Sequence, residues 1–311
     1  MRLRDKIYLK LRSLSYFDKL RKLRYLMRTW SNALFWAMPH KVKPKPISAK
    51  IIVGLTASPD RIRHLKPVLK SILRQSYPPD EIHLNIPFVF KRNGTSYDIP
   101  QWLLEINPKI KLKRVEDVGP GTKVIPTLLE LGSTEDVLVI TADDNILMIP
   151  GTIEEIAKAF LQDPERLYGF SGYTLSEDFA PDYENKERPV DVLEGYAHFA
   201  VHRRFIDQDF ADYIKAAHAL RACYLQDDIV LANYFALKGR PRIQLYTPHA
   251  NREVARHRGA ILYYGMGADA LHMGGGSDSY SDTYSAPFLT KTKEIAKFLG
   301  EKNLWALIPR S

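Results

Sequence analysis

Two short runs of continuous apolar residues, Ile51-Ile-Val-Gly-Leu55 and Val137-Leu-Val-Ile140, interrupt a chain whose apolar positions are otherwise spaced by polar ones. Runs of four to six residues, rich in β-branched side chains and bounded by polar turns, predict strands buried on both faces. From Ala49 onward the pattern predicts strands at 50–55, 81–86, 110–115, 137–141 and 167–171. Between them, helical spacing appears at 61–73, 123–131 and 153–161. Apolar strands alternating with helices of about ten residues predict an α/β fold, a mostly parallel sheet flanked by helices. After Tyr173 the residues Asp178, Pro181, Asp182, Glu184, Asn185, Lys186, Glu187 and Pro189 crowd together and predict an irregular, mobile loop. Regular structure is expected again at 197–202, in a helix over 227–237, in a strand over 242–247 and in a last helix over 290–299. The intervening residues 251–285, rich in Gly, Ser, Tyr and Asp, have the pattern of a long loop. No internal repeat or low-complexity tract is present.

At the other end the pattern changes. Leu3, Ile7, Leu11 and Leu14, then Leu20, Leu23, Met27, Trp30 and Leu34, recur at helical spacing, with Lys and Arg over much of the remaining surface. The chain of 311 residues carries +9, and residues 1–45 alone carry +11, which leaves the remainder at −2. A basic amphipathic helix suits the headgroup layer of an anionic membrane, with Trp30, Phe35 and Trp36 as interfacial anchors. Packing on the protein's own domain or on a partner subunit is the competing reading. The longest uncharged stretch, Thr29 to Pro39, is too short to span a bilayer, and it lacks the pattern of a cleaved signal peptide. The Pro-interrupted segment His40–Pro46 reads as a linker, so the expected division is 1–46 for the arm and 47–311 for the catalytic domain. The nearly neutral body argues against a nucleic-acid partner. One cysteine, Cys223, permits no intramolecular disulfide and reads as a buried small residue. The expected location is cytoplasmic, peripheral at the inner face of the membrane.

The chemistry gathers at the ends of predicted elements. Asp143-Asp144-Asn145 follow the apolar strand 137–141, where adjacent carboxylates repel one another unless a cation is held there. A solvated acidic turn is the bland alternative. Gly119-Pro-Gly-Thr-Lys123 lacks the spacing of a nucleotide-triphosphate loop, but two glycines and a threonine at a helix start suit an anion. Asp227-Asp228 opens an apolar helix, where capping and the helix dipole favour acids in any case. Gly265-Met-Gly267 lacks the third glycine of a nicotinamide-dinucleotide site.

Taken in order, Gly54-Leu-Thr-Ala-Ser-Pro-Asp-Arg61, Leu73-Arg-Gln-Ser-Tyr-Pro-Pro-Asp-Glu-Ile82, Asp117-Val-Gly-Pro-Gly-Thr-Lys123, Asp143-Asp144-Asn145, Leu225-Gln-Asp-Asp-Ile229 and His272 before Gly274-Gly-Gly276 resemble nucleotide-sugar glycosyltransferases of the GT-A fold, family-2-like bacterial and viral types. The resemblance covers roughly residues 50–280 and implies a GT-A-like, Rossmann-like sheet. It implies that Thr56, Arg61, Lys123, Asp143, Asp144, Gly195 and Tyr196 contact the donor. Asp144, Asn145 and His272 would hold a divalent metal, Mn2+ or Mg2+, although an amide at position 145 brings no charge to the site. Asp228 would be the base that deprotonates the acceptor hydroxyl, giving inversion, with Asp227 as its capping partner. His198 and His202 read as structural.

The expected function is transfer of a sugar from a nucleoside diphosphate to a glycan or lipid-linked acceptor, as in polysaccharide biosynthesis, by a hexosyltransferase. The alternative is a catalytically silent relative that binds nucleotide or glycan.

Overall fold

A computed structural model describes residues 42–246 and 286–307. The basic arm, the 251–285 loop and His272 lie outside the described residues. The strands are β1 (Lys50–Leu55), β2 (Glu81–Pro87), β3 (Ile110–Val115), β4 (Val137–Ala142), β5 (Leu167–Gly169), β6 (Gly172–Leu175), β7 (Pro181–Asp182), β8 (Arg188–Pro189), β9 (Val192–Leu193), β10 (Ala200–His202) and β11 (Arg242–Gln244). Eight of them form one sheet in the order β3-β2-β1-β4-β10-β5-β11-β8, and β7-β6-β9 form a second. The four strands from β3 to β4 run parallel. β10 is inserted antiparallel between β4 and β5, and β5 and β11 pair parallel beyond it. The expected mostly parallel sheet flanked by helices is what the chain forms.

The apolar runs are continuous because both faces are covered. Ile52, Val137 and Val139 enter one core, whereas Ile51, Val53, Leu55, Leu138, Ile140 and Ala142 enter the other, following the two-residue period of a strand. Val68, Leu69 and Ile72 of helix Lys66–Leu73 and Ile153, Ile156, Ala157 and Phe160 of helix Thr152–Gln162 close the second core. Val124, Ile125 and Leu128, with Ile229, Val230 and Phe235 of helix Asp227–Leu237, fill the first. Helix Asp227–Leu237 is apolar on all sides and lies almost wholly buried.

Two expectations need correction. The helix predicted over 123–131 starts at Ile125, and residues Gly119–Lys123 form a 3-10 turn before it, because Gly119 takes φ +72° and Pro120 fixes the first turn. The segment after Tyr173 contains strands β7, β8 and β9, with β8 pairing antiparallel on β11 at the edge of the main sheet. The two-residue length of all three, and the prolines of β7 and β8, which suit edges only, hid them from period-based reading.

Candidate functional site

The carboxyl ends of β1, β2 and β4 meet the Gly119–Lys123 turn and the start of helix Asp227–Leu237. Gly54 allows this approach: a Cβ there would stand 2.3 Å from the carbonyl oxygen of Lys123. An isolated glycine within an apolar strand is the sequence signal for such a contact. Asn85 adds a hydrogen bond from its amide to the same carbonyl at 3.3 Å and another to Thr127 at 3.0 Å. The turn is also held from within. Asp117 Oδ1 accepts from the Gly119 amide at 2.8 Å, and Oδ2 accepts from the Lys91 amide at 2.7 Å. Asp117 thus takes one amide of the turn, that of Gly119.

So anchored, Lys123 points its ammonium inward and is only 5% exposed. Nζ lies 3.1 Å from Asp143 Oδ1 and 3.3 Å from Asp227 Oδ2. Burial alone lowers the proton affinity of an ammonium; here Asp143, Asp227 and Asp228 outweigh it and raise Lys123 above the ordinary lysine value. Lys123 is therefore a permanent cation.

Asp228, one residue along, accepts a hydrogen bond at Oδ1 from the Gly195 amide at 2.9 Å. Burial, then Asp227, push its carboxyl well above the ordinary aspartate value, Glu194 adds to the effect, and Lys123 and the Gly195 amide oppose it. Gln226, the N-cap residue, makes no side-chain cap, and Asp227 in the first turn pairs with Lys123. Gly195 lies between the two groups: a Cβ there would stand 2.7 Å from Lys123 Nζ and 3.1 Å from Asp228 Oδ1. The Gly195 carbonyl accepts from Thr141 Oγ1 of β4 at 2.9 Å.

Asp144 occupies a second, separate ion pair. Its Oδ1 lies 2.9 Å from Arg61 Nη1, and its Oδ2 accepts from the Ser58 amide at 3.3 Å. Burial raises its carboxyl, and Arg61 opposes that rise. Arg61 thus meets a carboxylate of its own chain. Thr56 directs its hydroxyl to the carbonyl of Asn85 at 2.7 Å, tying β1 to β2. Tyr196 is half-buried, with its hydroxyl 3.2 Å from Ser171 Oγ. His198 has φ +63° ahead of β10 and lies 3.0 Å from the Thr141 carbonyl, which accepts from its ring; His202 lies in β10 itself. Both are buried. Only His202 is on the strand predicted for the pair. Cys223 is buried, and burial pushes its thiol up to about 12, so it is no thiolate at neutral pH.

Lys123, Asp143 and Asp228, expected from the sequence to share one site, come together in the fold with Gly195. Sequence reasoning missed Asp227 as the second partner of Lys123, although two adjacent acids were visible. It also missed Glu194, whose carboxylate gave no sequence signal beyond its place before a glycine.

For a divalent ion the donor set is uneven. Among the described residues no cluster of three or more His, Cys, Asp or Glu side chains is arranged to hold a metal. Asp144, expected as a ligand, is committed to Arg61 and Ser58. Asp143 keeps a side-chain exposure of 29%, against 9% for Asp144, and it is the carboxylate of the pair open to a cation. Four carboxylates, Asp143, Asp144, Asp227 and Asp228, face two cations, Lys123 and Arg61. Since burial raises Asp144 and Asp228, the position a hard cation fits best is the half-exposed Asp143, with most ligands drawn from water and phosphate oxygens; Asn145, 9% exposed, is as buried as Asp144.

No protein-family model matches the sequence. No curated protein matches it either. Among solved structures the chain is similar to GalNAc-T7, crystallised with UDP, GalNAc and Mn2+, at 10% identity and TM-score 0.43 over 62% of this chain and 41% of that one. It is also similar to the mannosyltransferase PcManGT from Pyrobaculum calidifontis in complex with GDP-Man and Mn2+, at 16% identity and TM-score 0.40 over 72% of this chain and 62% of that one. The chain spans less than two thirds of the length of either.

Proposed function

We propose that this chain is a glycosyltransferase that moves a sugar from a nucleoside diphosphate to an acceptor hydroxyl. The observation that carries the reading is the convergence of Asp143, from the end of β4, and Asp227-Asp228, from a helix about eighty residues later, on the single ammonium of Lys123. A fixed cation beside a carboxylate of raised proton affinity, at the carboxyl end of a parallel sheet, suits phosphate binding next to proton abstraction.

In this reading Lys123 attracts the diphosphate, while Arg61 and Asp144 hold the loop after β1 beside the nucleotide. Gly195, lacking a side chain, lets Lys123 and Asp228 share the site that receives the sugar, whose face Tyr196 contacts. Asp228 takes the proton of the acceptor hydroxyl, whose oxygen bonds to the anomeric carbon as the bond from that carbon to the diphosphate oxygen breaks. The electron pair leaves with the diphosphate, and the anomeric centre inverts. A divalent cation bound at Asp143 and Asn145 would supply positive charge to the diphosphate when present. His272 is proposed as a further ligand on resemblance alone.

The hexosyl class of the donor, and a glycan or lipid-linked acceptor, belong to the same proposal. So does attachment of residues 1–46 to the inner face of an anionic membrane; among the described residues no helix is long and apolar enough to cross one. The test is a panel of nucleotide sugars screened for thermal stabilisation with and without Mn2+, followed by sugar transfer from whichever stabilises. Stabilisation without transfer to any acceptor or water would favour the silent nucleotide- or glycan-binding reading, and no stabilisation by any of them would sink both.

A further inference from the structure

Glu194 takes no part in the chemistry just described, yet it is 8% exposed and its carbonyl carbon forms the peptide whose N–H bonds Asp228. Its Oε2 accepts from Ser171 Oγ at 2.5 Å, and its Oε1 accepts from the Tyr183 hydroxyl at 2.9 Å. Tyr196 adds a further hydrogen bond to the same carboxyl. Its own amide donates to the Ser171 carbonyl at 3.0 Å. Both ends of Glu194 are therefore fixed to the strand junction between β5 and β6, and its backbone is extended, with φ −96° and ψ 123°.

This fixation has a mechanical consequence. A peptide unit is planar, so the orientation of the Gly195 N–H is set by Glu194 on one side. On the other side it is set by Gly195, whose carbonyl is held by Thr141. Gly195 alone has the widest conformational freedom of any residue and cannot hold that orientation unaided. Tyr183 comes from the segment between β7 and β8, so the second sheet also contributes to the anchor.

We propose that Glu194 is a positioning residue for Asp228: anchored by Ser171 and Tyr183, it aims the Gly195 amide at Asp228 Oδ1 and keeps that peptide between Asp228 and Lys123. The inference rests on the glycosyltransfer reading only for its bearing on catalysis; the positioning itself is a property of the free protein. Asp228 is faced by Asp227, Lys123, Glu194 and the Gly195 amide, with Tyr173 and Tyr196 nearby. Glu194 thus acts on Asp228 both through its charge and through the peptide it shares with Gly195.

The test uses the full chain labelled with 15N-glycine, the Gly195 resonance being assigned by its loss or shift in Asp228→Asn. Hydrogen exchange at Gly195 is compared in wild type, Glu194→Gln and Glu194→Ala, with Gly54 as an internal control. Glu194→Gln keeps an acceptor for one of the two hydroxyls and offers its NH2 to the other, which can turn to accept, and should leave Gly195 protected, whereas Glu194→Ala should speed its exchange by about tenfold or more with Gly54 unchanged. Equal protection in all three overturns the proposal, as does a parallel rise at Gly54, which would mark general loosening. If Glu194→Ala does not fold, Tyr183→Phe should raise Gly195 exchange selectively by a smaller factor, and no change there also overturns it. Failure of every nucleotide sugar in the panel to stabilise wild type would defeat the glycosyltransfer reading and leave the exchange result standing.

Discussion

Gly195 and Lys123 share a space that admits no side chain between them: a Cβ on Gly195 would meet Nζ at 2.7 Å and Cε at 2.8 Å. The ammonium is the flexible end of its residue, but moving it breaks its pairs with Asp143 and Asp227. Gly195→Ala should therefore keep the fold and weaken nucleoside diphosphate binding by about tenfold or more, the loss of one charge-assisted contact. Calorimetric titration with UDP and GDP checks it; unaltered affinity would show that Lys123 is not the diphosphate contact.

Removing the cation should affect stability more than geometry does. Lys123→Met leaves Asp143, Asp227 and Asp228 without their common counterion, and breaking a buried ion network of this kind costs about 3–5 kcal/mol. Protonation relieves carboxylate repulsion, so the deficit should shrink as the pH is lowered from 7 toward 4. Urea denaturation at several pH values would reveal a constant deficit if the lysine acted only through packing.

Asp228→Asn should separate function from stability. If Asp228 is the base, its amide should lower kcat by a factor of about 10²–10⁴ while nucleotide binding persists. Because the folded protein raises this carboxyl above its unfolded value, the fold binds the proton more tightly. Stability from Asp228 is therefore greatest at low pH and declines as pH rises through the folded value. The asparagine variant should then be more stable than wild type at neutral pH, with the gain vanishing below about pH 4. Thermal denaturation at pH 7 and pH 4 reads this directly, and a destabilised variant at pH 7 would contradict it.

Gly54→Ala probes the floor of the site. A methyl group 2.3 Å from the Lys123 carbonyl cannot be accommodated by a flexible side chain, since the obstacle is backbone. The Gly119–Lys123 turn must move, at a cost of about 1–3 kcal/mol typical of overpacking. Donor affinity should fall together with stability, whereas wild-type affinity in a destabilised variant would disconnect the turn from the site.

The arm makes its own prediction. Deleting residues 1–40 should abolish flotation with anionic vesicles and leave nucleotide binding by the remainder intact. Undiminished flotation would place the membrane contact elsewhere or remove it.

Much of the framework was legible in the sequence because its signals are local. The runs 51–55 and 137–140 are strands wherever they pack, since no other element buries continuous β-branched residues so cheaply on two faces. The acidic positions after β4 and at the start of helix Asp227–Leu237 were visible for the same reason. Short edge strands such as β7 and β8 were not, because a two-residue ladder is defined by its partner and not by its own residues. Partner choice was equally invisible. Nothing in the sequence said that Arg61 would take Asp144 while Lys123 took Asp143 and Asp227, for charge pairing depends on which side chains the sheet order and the missing Cβ atoms of Gly54 and Gly195 allow to meet. The sequence by itself determined the elements and the kinds of charge at their ends; only the tertiary structure decided which charges neutralise one another, because burial turns a separation of a few ångströms into the dominant electrostatic effect.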